Sequence, residues 1–309
     1  MLDPSATQAA DAAGLLKVMF VLAAIVIAVV LGLVVISFIR SRRVRGRSEP
    51  RTAGGTDDRR SLRLVVVGGI VAPVLAATGI FLATVGPLGR LDDHSGDALQ
   101  IEVTGHRWWW DVTYPDAGFR TANEIHVPVD HDAVILIRSA DVIHSVWIPE
   151  LAGKVDAVPG KTNRLVLHPT RLGTFDGRCG EFCGLEHARM RFTVVVEPEH
   201  DFEKFVERQR RAPPVPSGDE LEGQEVFLSS ACVYCHRVEG TNATSTYGPD
   251  LTHLASRRTL GAGTLPNTRG NLAGWILDPQ SAKPGNLMPP MDLSGPELQA
   301  LLDYLQGLH

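Results

Sequence analysis

Residues 178–190 read RCGEFCGLEHARM, and the reading of the chain turns on what this stretch has to hold. Cys179, Cys183, His187 and Met190 follow one another at spacings of four, four and three, in a protein with only four cysteines. Positions three or four apart share one side of a turn of roughly helical pitch. Gly180 and Gly184 let the backbone fold tightly there. Two thiolates, an imidazole and a thioether can then converge on one small volume. Thiolate and thioether are soft ligands that favour copper, and a weak methionine beside Cys and His marks electron-transfer copper. The residues alone leave two alternatives open: a four-coordinate zinc site and a Cys179–Cys183 disulfide. One loop does not complete a site, so a further imidazole is expected from another strand end. His144, in DVIHSVWIP (141–149), is the candidate, although a lone histidine between apolar strand residues is more often structural. His106, His126, His131, His168, His200 and His253 take that structural reading.

The surrounding region, about 98–197, is a series of short Val-, Ile-, Thr- and Trp-rich runs punctuated by Gly, Pro, Asp and Asn. Such runs are strands, and their spacing predicts a sandwich or Greek-key barrel. HRWWW (106–110) places three tryptophans in a row, whose plain reading is core packing with an aromatic belt near a bilayer.

Upstream, residues 18–39 and 64–89 carry no charge. Each is long enough to cross a hydrocarbon core of about 30 Å. The first is too long for a signal peptide, is preceded by Asp3 and Asp11, and lacks a small-residue cleavage site. Pro73 and several glycines lie in the second, as membrane helices tolerate. Nine arginines fall in the segment between them, 40–63, against Lys17 alone before the first. The positive-inside rule makes that loop cytoplasmic and both termini external. The net charge of −5 and the confinement of arginines to one loop argue against nucleic acid.

Downstream, APPVPSGDE (212–220) marks a linker, and helical patterns follow near 220–230, 271–278 and 294–308, the last with a capping serine. CVYCH (232–236) is a Cys-x-x-Cys-His. In an exported domain this is covalent c-type haem attachment through Cys232 and Cys235, with His236 as proximal iron ligand. The alternative, a redox dithiol, would need a βαβ context that is absent. KPGNLMPPM (283–291) offers Met288 and Met291 for the second axial position.

Two resemblances follow. With GQEVF (223–227) before the haem motif and GWILDPQSAKPGNLMPPM (274–291) after it, residues 218–309 resemble a small all-α class I cytochrome c, which favours Met288 as axial ligand. Residues 14–200 resemble subunit II of cytochrome c oxidase through DVIHSVWIP, KVDAVPGKTNRL (154–165) and the Cys-x-Glu-x-Cys-x3-His-x2-Met loop. Together they are similar to a caa-type oxidase subunit II with a fused cytochrome. The resemblance implies a multi-domain fold: two transmembrane α-helices (1–90), a cupredoxin-like CuA domain (91–200), a linker (201–217) and a cytochrome c domain (218–309).

It also implies a dinuclear copper centre, CuA. Cys179 and Cys183 would bridge both coppers, and His144 and His187 would each ligate one. Met190 would be a weak ligand, and Glu181 would ligate through its backbone carbonyl. The Glu181 carboxylate would reach a magnesium ion at the junction with subunit I, and Trp108 would be the point of electron entry.

The implied function is electron entry into a proton-pumping oxidase. Electrons would pass from an external donor through haem c and CuA to a haem in subunit I, where oxygen is reduced. No catalytic oxygen site lies in this chain, whose partners would be other oxidase subunits and membrane lipid. A linker of about ten residues would hold the cytochrome near the copper at an effective concentration toward the millimolar range. An electron-entry subunit of another reductase, such as one for nitric oxide, and a membrane-tethered copper or redox sensor are the alternatives. The chain departs from the family in one place. LRLVVVGGIVAP (62–73) lacks the acid that members often carry near a proton-entry route.

Overall fold

The computed structural model describes residues 4–44, 58–90 and 96–309. Arg45, Arg47 and Arg51 of the expected cytoplasmic loop lie outside the described residues. The chain divides into two compact units, one holding the apolar helices and the other the remainder together with the first nine residues.

In the first unit, α1 spans Thr7–Val44, and α2 (Asp58–Val66) continues through a π-helical turn, Val67–Val71, into α3 (Ala72–Arg90). The π-turn has a local cause. Pro73 has no N–H to donate and its ring crowds the carbonyl four residues back. The backbone widens ahead of it, with Ala72 N–H bonding to Val67 O, five residues back. Phe20, Ile25, Leu31, Leu33 and Phe38 on α1, and Leu75, Phe81 and Leu82 on α3, are all more than half exposed. Helices with apolar side chains pointing outward in all directions suit a lipid environment.

The second unit begins with two five-stranded sheets. One has the order β3 (Phe119–Ala122), β2 (Trp109–Tyr114), β1 (Leu99–His106), β5 (Ala133–Ser139), β8 (Asn163–Leu167). The other runs β4 (Glu124–Pro128), β10 (Arg191–Glu197), β9 (Gly173–Cys179), β6 (His144–Trp147), β7 (Val155–Ala157). Most pairs are antiparallel, while β1 with β5 and β4 with β10 are parallel. The inward faces meet in a core that includes Ile101, Trp110, Ile125, Ile135, Val194 and Phe192. Strand β9 shows the alternation most plainly, burying Phe175, Gly177 and Cys179 and exposing the residues between. Gly177 is required, because a Cβ there would lie 2.2 Å from the Phe192 ring. Residues at the N-terminus belong to this unit: Ser5 N–H bonds to Glu150 O at 2.9 Å, and Thr170 N–H to Ser5 O at 2.9 Å.

Of the 201–217 segment expected to link the soluble parts, the portion up to Arg210 lies in a helix, α4 (Glu199–Arg210). Its Phe202 and Phe205 pack on the sandwich beside Tyr114. His126 stacks on Phe205 at 3.8 Å and bonds Glu197 through Nδ1 at 2.9 Å, with Glu124 at 4.0 Å from Nε2. Burial works against charge on His126, but the two carboxylates outweigh it and hold its pKa above the ordinary value.

Beyond an extended stretch the chain folds into α5 (Asp219–Ser229), the two-residue strands β11 (Thr259–Leu260) and β12 (Leu265–Pro266), α6 (Arg269–Leu277), α7 (Pro279–Ala282) and α8 (Gly295–Gly307). Ser294 and Glu297 form a capping box on α8. The β11–β12 hairpin is the small non-helical element that helical periodicity alone did not anticipate. Helices α5 and α8 cross closely enough that a Cβ on Gly223 would lie 1.9 Å from Ala300 O.

Two predictions follow from this packing. Gly223→Ala should destabilise the helical part by about 2 kcal/mol or more, since the clash is with backbone and cannot be relieved by a rotamer. Gly274→Ala, on an exposed position of α6 with nothing within 4 Å of the new methyl, should instead stabilise it by about 0.5–1 kcal/mol. Urea unfolding of the purified chain compares them, and equal effects would refute the close crossing. The His126 proton is held more tightly in the folded chain than in the unfolded one, where histidine titrates near 6.5. Its contribution is complete below about pH 6.5 and is lost as pH rises through the elevated native value. His126→Gln should therefore lower the thermal midpoint more at pH 6 than at pH 9.

Candidate metal centres

Strand pairing builds the first site. Cys179 ends β9 and His144 begins β6, and the register places Val146 opposite Cys179. Gly180 N–H bonds to Ser145 O at 2.9 Å, and Cys179 N–H to Met190 O at 3.0 Å. The loop after Cys179 closes on itself: His187 N–H reaches Gly184 O at 3.2 Å, and Met190 N–H reaches His187 O at 3.3 Å. Backbone bonds therefore fix both ends of the ligand loop before any side chain is considered. Gly105 on β1 makes room for the site, since a Cβ there would stand 2.8 Å from the His144 ring.

The donor atoms fall into two lobes. Cys179 Sγ lies 4.0 Å from His144 Nδ1 and 3.1 Å from Glu181 O. Cys183 Sγ lies 3.7 Å from His187 Nδ1 and 3.8 Å from Met190 Sδ. The two sulfurs sit between the lobes, 3.7 Å apart. That separation is far beyond the ~2.05 Å of a disulfide, and all four cysteines are free. His144, Met190 and both sulfurs are buried. The His144, Cys179 and Cys183 donor atoms lie within 4.8 Å of one another, close enough to hold a metal ion, and His187 and Met190 add two further donors beside Cys183. As free thiols the pair divides its protons unequally. The Cys183 S–H hydrogen bond holds Cys179 well below the usual thiol range, and the neighbouring thiolate together with burial pushes Cys183 up.

Residues beyond the expected set orient these donors. Asp141 Oδ1 lies 2.8 Å from His144 Nε2, fixing the ring with Nδ1 toward the sulfurs. The same carboxylate accepts from Val142 N–H at 2.6 Å and Arg107 N–H at 2.8 Å, so it is itself held. Its sequence signal was the Asp three positions before His144. The Glu181 carboxylate points away from the sulfurs and pairs with Lys154 at 3.1 Å.

The three tryptophans separate into three roles. Trp110 is fully buried, edge-on to His144 and Phe192. Trp109 stacks on His106 at 4.4 Å. Trp108 donates its indole N–H to Cys183 O at 3.0 Å, and its ring lies against Gly184.

The second site is a cleft of about 1330 Å³, counting its open mouth, lined among others by Cys232, Cys235, His236, Trp275, Met288 and Met291. Two thiols, an imidazole and two thioethers facing an otherwise apolar lining suit a covalently held haem. His236 Nδ1 bonds to Pro249 O at 2.8 Å, leaving Nε2 toward the cleft. Burial lowers the His236 pKa, keeping the ring in the neutral form that ligates iron. Gly248 is needed behind it, since a Cβ would stand 2.9 Å from the ring. Both methionines line the cleft. The mouth reaches the sandwich: Trp108 and Trp109 also line it. Elsewhere His168 bonds Asp132 at 2.7 Å and His253 bonds Gln209 O at 3.0 Å.

A family described as cytochrome c oxidase subunit II, periplasmic domain, matches residues 118–197, and the cytochrome c family matches residues 221–309. The chain is 33% identical to cytochrome c oxidase subunit 2 of Alkalihalophilus pseudofirmus, over 99% of this chain and 90% of that protein. It is 32% identical to the Bacillus subtilis subunit 2, over 77% of this chain and 70% of that one. The solved periplasmic domain of cytochrome oxidase subunit II from Bradyrhizobium japonicum is 30% identical, at a TM-score of 0.37, covering 39% of this chain and 96% of that one.

Asp141 carries the prediction of this section. Asp141→Asn should weaken copper binding by about 10–100-fold, the usual cost of losing a group that orients a metal-bound histidine. Competition with a copper chelator measures it, and unchanged affinity would show that the carboxylate does not set the ring.

Proposed function

The chain belongs to the cytochrome c oxidase subunit II family, with a cytochrome c domain fused behind it, and from that premise we propose how its residues carry electrons inward. It is a membrane subunit of a haem–copper terminal oxidase with a CuA-like His/Cys/Met site in its β-domain. When bound, haem c and the copper pair each take up and release one electron. The two-lobed donor set, with its shared sulfurs 3.7 Å apart, is the observation that carries the copper assignment.

In this reading Cys179 and Cys183 would be the shared thiolate ligands of the copper pair. His144 and the Glu181 carbonyl serve one lobe, and His187 and Met190 serve the other. Burial keeps water from the sulfurs, and ligands fixed by backbone bonds rearrange little when the charge changes. Cys232 and Cys235 would attach the haem, and His236 and Met288 would ligate its iron. Trp108 lies between the two sites. It lines the haem cleft on one side and touches the copper loop through its bond to Cys183 O on the other. With both groups in place the chain would accept electrons from an external donor at the haem cleft and hand them, by way of Trp108 and the copper loop, to subunit I for oxygen reduction coupled to proton pumping. The Glu181 carboxylate is the chain's one contribution to a magnesium site in this scheme, so the other ligands would come from another subunit.

The proposed topology places both soluble domains and both termini outside a bacterial-type cell membrane. Residues 5 and 6 pair with the β-domain, which supports a chain that leaves that side and returns to it after two crossings. Proton uptake is assigned to other subunits, because residues 62–73 contain no acid.

The test is made on the full-length chain in detergent, loaded with haem and copper. The expected result is two coppers per haem and a paramagnetic resonance spectrum in which one unpaired electron is shared by two copper nuclei. A single copper, or zinc, would overturn the assignment. Met288→Ala should abolish the sulfur-to-iron charge-transfer absorbance of the oxidised haem while Met291→Ala preserves it. The reverse pattern would transfer the axial role to Met291.

A further inference from the structure

Lys283 is 2% exposed, although it is a lysine at the surface-forming end of a small domain. Lysines are almost never fully buried without a partner. The partners here are three backbone carbonyls: Trp108 O at 2.7 Å, Arg189 O at 2.8 Å and Gly261 O at 2.9 Å. Three acceptors match the three donors of an ammonium group. Two of the carbonyls belong to the β-domain and the third, like Lys283 itself, belongs to the haem domain. Each β-domain carbonyl has a meaning for the copper site. Trp108 holds Cys183 O through its indole, and Arg189 immediately precedes Met190.

Other contacts surround this point. Arg191 N–H donates to Ala262 O at 3.1 Å, and a Cβ on Gly263 would lie 2.9 Å from Arg191 Cβ. Arg258 N–H donates to Glu124 Oε1 at 2.7 Å. The Leu185 side chain lies against Gly285. The β11–β12 turn thus lies against the edge of the β-domain, and the Lys283 side chain joins both domains and the turn at once.

We propose that Lys283 is a positioning residue that clasps the haem domain onto the copper domain and sets the haem cleft against Trp108. It touches neither metal. Burial pulls the Lys283 pKa down to about 7, and the buried amine has its three carbonyl partners only while the domains stay together, so separating them removes the Trp108 and Arg189 acceptors at once. The neutral acceptors are main-chain atoms, whose positions follow from the fold of β2's entry, the copper loop and the β11–β12 turn. The functional part of this inference rests on the proposed route through Trp108; the clasp itself does not.

The experiment uses the full-length chain in detergent, comparing wild type, Lys283→Gln and Lys283→Arg by amide hydrogen exchange. Arg191 and Arg258 report the interface, because their N–H groups donate across it. β5 and α8 report the two domains separately. In Lys283→Gln the interface amides should exchange about tenfold faster or more, the scale set by losing hydrogen bonds to a charged group. β5 and α8 should be unchanged, and Lys283→Arg should recover part of the protection. Unchanged interface exchange would overturn the clasp. Faster exchange throughout α8 would overturn it as well, by placing Lys283 in the haem domain's own stability.

The second readout is made on the same variants with both metals bound. One electron is delivered to the haem by a photoreductant, and its passage to copper, oxidising the haem and reducing the copper pair, is timed. The transfer should slow by the same factor as the interface loosens. Faster interface exchange with an unchanged transfer rate would keep the clasp and refute the Trp108 route.

Discussion

Two sulfur atoms have to sit 3.7 Å apart in a buried site without joining, and much of the β-domain serves that requirement. Neighbouring thiolates repel, and burial raises the cost of each charge, so the protein cannot rely on the side chains to find one another. It fixes them through the main chain instead. The β6–β9 register, the Gly180–Ser145 bond and the Cys179–Met190 bond hold the loop from both sides. The absent side chains matter equally. Gly105 leaves space for His144, and Gly177 leaves space for Phe192, which packs beneath Trp110. Asp141 then turns His144 the right way round.

The same reliance on the main chain explains how the two metal domains are joined. The linker expected to keep the cytochrome near the copper is joined by direct contacts between the two domains. α4 packs on the sandwich, and main-chain groups of Trp108, Arg189, Arg191, Gly261 and Ala262 bond at the contact. A tether raises encounter frequency, but it leaves orientation to chance. A docked interface fixes orientation as well, which is what a transfer between two buried centres depends on.

Most of the copper loop was legible in the sequence because metal ligation restricts residue type and spacing together. Two thiols, an imidazole and a thioether within a dozen positions have few other uses. The haem motif was legible for the same reason. The apolar helices followed from length and composition. The strands with unbroken Val and Ile were readable, whereas β3, β7 and β9 were not. β9 reads GTFDGRC, and its glycines and charges conceal an alternation that only pairing with β10 reveals. Nothing in HRWWW marks the turn within it that lets β1 and β2 pair as a hairpin. Lys283 was least legible of all. Nothing in KPGNLMPPM distinguishes a lysine facing water from one buried against three carbonyls, because the acceptors are backbone atoms that any sequence supplies.

That choice of acceptor has a physical logic. A lysine paired with a carboxylate across the domains would place a second buried charge about 3 Å from the first, within reach of the thiolates. A buried ion pair also gains little once both desolvation costs are counted. Carbonyl dipoles satisfy every donor, and the buried Glu186 carboxylate adds its charge nearby. They confine the positive charge to one point, close to the pair of sulfurs that carries negative charge. An ammonium sealed from solvent is screened by salt far less than surface charges are. The internal contact between haem domain and copper domain therefore keeps its strength in the ionic medium outside the membrane, where contacts made by exposed charges weaken.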